Sequence, residues 1–153
     1  MAQRKYSKQL VVTAGAYSAN EVIGGQIQFV GLRNAVLNRV VLVDEAGQNV
    51  AYYLVLYDAV QTNIADNGVM NPVQGDAAKT LAIISLPTAN RVAFQTGSMT
   101  ESRGAYDAAG GLNITLKSAE GDGDIYGFLF TPGTPTYVAT TDVTINLFAT
   151  DIS

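Results

Sequence analysis

The sequence predicts an all-β protein: an antiparallel β-sandwich, jelly-roll-like, of about eight or nine strands with little helix. Three observations carry this reading. Short apolar runs rich in β-branched and aromatic residues recur between clusters of Gly, Asn, Asp, Pro and Thr, spaced by about 8 to 12 residues. Several runs alternate apolar and polar residues with a period of two, the mark of a sheet with one face buried and one wet. Helical periodicity is nearly absent; the best stretch, DAVQTNIAD (58–66), is short and contains Thr and Asn, enough for a turn or two at most.

The elements follow in order. YSKQLVVTA leads on from a basic start and reads as the first strand. In GQIQFVGL, Ile27 and Phe29 share one face while Gln26 and Gln28 share the other. VLNRVVLVDE is next, and NVAYYLVLYDA is apolar almost throughout, which suits a strand covered on both faces, in the sandwich centre or at a subunit interface. TLAIISL, NRVAFQTG, GLNITLKS and DIYGFLFT follow. The series closes with DVTINLFAT, where Val143, Ile145 and Leu147 alternate with Thr144, Asn146 and Phe148. Longer loops are expected over 61–79, 97–110 and 131–141, and loops of this kind often carry recognition. With no interior linker or repeat, residues 10–153 read as a single β-sandwich domain behind a basic N-terminal arm of residues 1–9.

Composition narrows the function. The chain's 153 residues fit one domain, and 48% hydrophobic against 14% charged residues place it far from the disordered regime. Cys, His and Trp are all absent, which removes disulfides, thiol nucleophiles, imidazole bases and the usual zinc ligands. Arg4, Lys5 and Lys8 lie in the first eight residues, leaving six basic against thirteen acidic residues in the rest. An acidic body repels phosphate backbones, so no nucleic-acid partner is expected. Leu10, Val11 and Val12 are too short a run for the apolar core of an export signal, and no stretch reaches the length of a membrane span. No membrane association is expected. Arg4, Lys5, Tyr6 and Lys8 are the candidate partner-contact residues, suited to an acidic surface.

Motifs for chemistry are sparse. EGDGD sets Glu120, Asp122 and Asp124 at alternate positions, an oxygen-rich cluster of the kind calcium takes, but it fails the EF-hand pattern in either register and reads better as a hairpin turn. Asp44 with Glu45, Asp58, Asp66, Glu101 and Asp107 could in principle supply a glycosidase pair, although nothing in the sequence sets two of them at the required separation. There is no S-x-x-K, no G-x-x-x-x-G-K-[ST] and no G-x-G-x-x-G. The chain reads as no enzyme, with no catalytic, cofactor-binding or metal-binding residue assigned. Tyr52, Tyr53, Tyr57, Tyr126 and Tyr137 read either as a binding surface or as ordinary strand residues.

YSKQLVVTAGAYSANEVIGGQIQF, VVLVDEAGQNVAYYLVLYDAVQTNIADNGVM and IYGFLFTPGTPTYVATTDVTINLFAT together resemble the head decoration, or cement, proteins of tailed bacteriophages, of jelly-roll type. The likeness spans most of the chain and rests on strand and turn patterns without a catalytic signature. It implies a virion structural protein on the outer surface of the capsid, present in the host cytoplasm during assembly. Its partner would be the major capsid protein, whose neighbouring subunits it bridges, and it would act as a homo-oligomer, a trimer or dimer. A receptor- or glycan-binding module of a phage tail or fibre is the alternative, and a carboxylate-based glycan hydrolase a third.

Overall fold

The computed structural model describes residues 3–95, 102–107, 112–119 and 123–152. Among them lie ten strands: β1 (Gln3–Gln9), β2 (Glu21–Phe29), β3 (Asn34–Asp44), β4 (Tyr52–Tyr57), β5 (Thr80–Leu86), β6 (Arg91–Gln95), β7 (Ser102–Asp107), β8 (Ile114–Lys117), β9 (Ile125–Thr131) and β10 (Val143–Asp151). Helix is confined there to two 3-10 turns, Ala77–Lys79 and Thr88–Asn90. The count exceeds the eight or nine strands expected because β7 falls inside what reads as the 97–110 loop. Its sequence SRGAYD offers only Ala105 and Tyr106 as apolar residues, yet Tyr106 is fully buried and fixes the strand.

The strands form two antiparallel sheets, β1-β10-β3-β7-β6 with β8 also on β3, and β2-β9-β4-β5. With the β6–β7 hairpin set aside, the eight remaining strands pair first with last and inward from there: β1 with β10, β2 with β9, β3 with β8, β4 with β5. This is a long antiparallel hairpin rolled on itself, the jelly roll, closed by β10 on β3 and β9 on β4. The inserted hairpin shares an edge: β8 pairs with Asn34–Leu37 of β3, and β7 with Val41–Asp44.

Period-two alternation builds the core as the sequence predicts. Ile27 and Phe29 of β2, and Val143, Ile145 and Leu147 of β10, are buried between the sheets with Leu37, Leu42, Leu54 and Leu129. β4 is covered on both faces, and its outer cover comes from the chain itself. Val55 and Tyr57 pack with Val22, Tyr126 and Phe128 beneath Ile64 and Met70 of the 58–76 loop. That loop is locked along β2: Val22 N donates to Gly68 O at 2.7 Å, Asn67 N to Val22 O at 3.0 Å and Met70 N to Asn20 O at 2.8 Å. The loop therefore occupies the first half of the β2 edge. Beyond it β2 bulges at Gly24 and Gly25, both at positive φ (80° and 73°), where the register to β9 jumps between Ile23 and Ile27.

Candidate functional site

The candidate contact residues Arg4, Lys5, Tyr6 and Lys8 all lie on β1, which ends the six-stranded sheet. The segment expected as an arm is thus a strand from Gln3 onward, held along its whole length by β10 from Gln3 opposite Thr150 to Gln9 opposite Thr144. Its other edge pairs with no strand among the described residues.

Alternation sorts this edge into two sets. Leu10 N donates to Val143 O at 2.9 Å, in the same register as the strand. In an antiparallel ladder the residues that bond the partner recur every second position. Lys8, Tyr6 and Arg4 therefore bond β10, while Gln9, Ser7, Lys5 and Gln3 turn their N–H and C=O groups to the open side. An independent bond agrees: Glu45 N donates to Asp142 O at 2.8 Å, so even-numbered β10 residues bond β3 and odd-numbered ones bond β1.

The side chains divide the same way. Arg4, Tyr6 and Lys8 stand opposite Ala149, Leu147 and Ile145, whose side chains are buried, so they face the seam between the sheets. Lys5 stands opposite Phe148 on the outer face, where Arg39 lies over the Phe148 ring at 5.7 Å. Arg4 is engaged: its Nε lies 2.9 Å from Asp151 Oδ2, and Tyr6 donates its hydroxyl to Asp151 Oδ1 at 3.2 Å. Partial burial, then the adjacent Asp151 charge, raises the Tyr6 phenol above its ordinary range. Lys5 and Lys8 have no ion-pair partner among the described residues. Across the seam, Gln28 and Val30 complete a shallow groove that residues 5–8 also line, with Val30 67% exposed. Sequence reasoning missed these two, because no local signal links residues 28–30 to residues 5–8. Beside the groove a wider cleft brings Arg33 and Asn34 next to Arg4 and Asp151.

Three of the carboxylates considered for catalysis, Asp44, Asp66 and Asp107, are tied into the fold by hydrogen bonds. Asp44 is fully buried at the end of β3 and accepts from Ala46 N at 2.9 Å and Gln48 N at 2.8 Å. Desolvation pushes its carboxyl up to about 6 against the pull of those two donors. Asp66 accepts from Thr13 N, Thr13 Oγ1, Tyr17 Oη and Gly24 N, all within 2.9 Å. Asp107 holds Arg39 through three contacts of 2.7 to 3.1 Å. Of the EGDGD carboxylates, Glu120 and Asp122 lie outside the described residues, as does Glu101. Asp124 is buried, accepting from Gln28 Nε2 at 2.6 Å and Gly31 N at 2.8 Å. No group of three potential metal-ligating side chains occurs among the described residues. The tyrosines considered for a binding surface are mostly interior: Tyr52, Tyr57, Tyr126 and Tyr137 are buried, and Tyr53 is half-buried, stacked on Phe130 at 5.4 Å.

No family model, curated protein or solved structure matches this chain.

Proposed function

We propose that the protein is a non-enzymatic structural component of a bacteriophage virion, a homo-oligomer that decorates the capsid and stabilises it by bridging neighbouring major capsid protein subunits. The observation that carries this reading is the β1 edge: a basic strand paired along its length on an otherwise acidic jelly roll, with Lys5 and Lys8 in no ion pair among the described residues. Asp44, Asp66 and Asp124 accept backbone N–H groups and so anchor loops, which suits a module whose work is to add contact area. Such a module reinforces a shell by burying surface across a seam between coat subunits. The resemblance in the strand and loop sequences supports the same reading.

Cosedimentation with undecorated, expanded capsids across a salt series tests it. Saturable binding is expected, falling with salt because the contacts at the rim are screened. A K5E/K8E variant should bind at least about tenfold more weakly, at about 0.7 kcal/mol for each lost or reversed pair. No binding at any salt concentration would overturn the decoration reading, and saturable binding to host glycans in its place would favour a tail or fibre module.

A further inference from the structure

We infer that the open edge of β1 is a strand-addition site for an extended acidic segment of another protein, with two carboxylates three residues apart. The inference takes from the proposed function only that β1 meets a partner. Its partner chemistry comes from the edge itself.

Four residues, Gln3, Lys5, Ser7 and Gln9, offer outward N–H and C=O groups along one line, and all four are exposed. An edge of this kind templates another strand, with main-chain bonds giving affinity and alternate side chains giving specificity. A second copy of β1 is a poor occupant. QRKYSKQ has no acid, and antiparallel self-pairing centred on Tyr6 sets Arg4 against Lys8, while pairing centred on Lys5 sets that residue against itself. The other outer strands carry less positive charge: β5, TLAIISL, is uncharged, β2 carries only Glu21, and β6 and β8 hold one cation each, Arg91 and Lys117.

The two lysines of β1, which have no ion-pair partner among the described residues, fix the spacing. Lys5 projects to the outer face and Lys8 to the seam, three positions apart and on opposite sides of the strand. A strand laid along β1 answers both with acids at positions j and j+3, one on each of its faces. Acids at j and j+2 share a face and can reach only one lysine. Arg4 adds nothing to this code because Asp151 already holds it.

Proline tests the backbone term. At Ser7 it removes an outward N–H and leaves the β10 ladder intact, whereas at Lys8 it breaks a ladder bond. The probes are two labelled octapeptides of one composition, Thr-Val-Glu-Thr-Thr-Glu-Val-Thr and Thr-Val-Glu-Thr-Glu-Thr-Val-Thr, titrated into the full chain by NMR. In the free protein the amides of Lys5 and Ser7 should exchange with solvent faster than those of Tyr6 and Lys8. The first peptide should bind about fivefold tighter than the second and slow exchange at Lys5 and Ser7. S7P should lose both peptides while keeping the dispersed spectrum of the folded chain. Slower exchange at Ser7 than at Lys8 in the free protein, undiminished binding by S7P, or equal affinity for the two peptides would each overturn the inference. Capsid binding is scored separately. Capsids that bind wild type and S7P alike leave decoration standing without strand addition; peptide binding without capsid binding leaves the edge standing without decoration.

Discussion

The phenolic oxygens of Tyr52 and Tyr137 lie 2.6 Å apart in a contact closed to solvent. Each ring meets a further tyrosine edge-on, Tyr137 with Tyr17 and Tyr52 with Tyr106, both at 5.3 Å between centroids. The outer two hydroxyls are also satisfied: Tyr17 donates to Asp66 at 2.6 Å, and Tyr106 has its one proton within reach of the carbonyls of Val50 at 2.7 Å and Gln48 at 2.9 Å. A file of four tyrosines therefore crosses one end of the sandwich and joins four loops to β4 and β7. Burial raises the Tyr52 and Tyr137 phenols well above their ordinary range, so both stay protonated and able to share that bond.

Removing one member of the central pair should cost more than removing both per hydroxyl lost. Y137F leaves the Tyr52 hydroxyl buried without its partner and should destabilise the fold by about 1–3 kcal/mol. The Y52F/Y137F double variant should cost less than the two single changes added together. Urea denaturation of the four proteins in a double-mutant cycle measures the difference.

Asp44 sets a pH dependence of definite sign. With its folded pKa up at about 6, above the unfolded carboxylate value, the native state holds this proton more tightly than the unfolded chain. Its contribution to stability is therefore full below about pH 4 and is lost as pH rises through about 6, by up to about 3 kcal/mol. D44N should lack this slope. Denaturation midpoints of both proteins at pH 4.5 and pH 7.5 should diverge, wild type gaining relative to D44N at the lower pH.

Asp66 latches the cover over the outer face of β4. D66A releases four hydrogen bonds that tie residues 13, 17 and 24 to the loop. Loss of about 2 kcal/mol is expected, with faster proteolysis within 58–76 than elsewhere. Equal protection of that loop in D66A and wild type would refute the latch.

Two glycines should respond differently to alanine. A Cβ on Gly127 of β9 would stand 2.8 Å from the Val55 carbonyl oxygen, a backbone atom with nowhere to retreat. At Gly31 the same atom meets open space and only the positive φ of 79° resists it. G127A should cost at least about 2 kcal/mol and G31A about 1 kcal/mol, read from thermal midpoints.

Much of the fold was legible because its signals are local. TLAIISL became β5 residue for residue, bounded by a 3-10 turn at Lys79 and by Pro87. The alternation in DVTINLFAT named the buried face of β10 correctly, since period two is a property of the strand alone. Tertiary decisions were less visible. The sequence shows that β4 needs cover on both faces, but the identity of the cover, Ile64 and Met70 of its own following loop, depends on where that loop folds back. β7 escaped notice because one buried tyrosine in a polar hexapeptide carries no period. At the candidate site the charges of Arg4, Lys5 and Lys8 were plain, whereas their division between outer face and seam depends on pairing with β10, at the far end of the chain.

That pairing has a temporal consequence. Gln3 meets Thr150 and Gln9 meets Thr144, so during synthesis β1 waits for residues 144–150 before it can join a sheet. Closing so long a loop is entropically slow, and contacts of this range form late in folding. A chain halted before residue 143 has no β10 and therefore no ordered basic edge, however complete its other strands. The edge proposed for partner contact therefore forms only on copies that carry residues 143–151, and a chain broken before them lacks it.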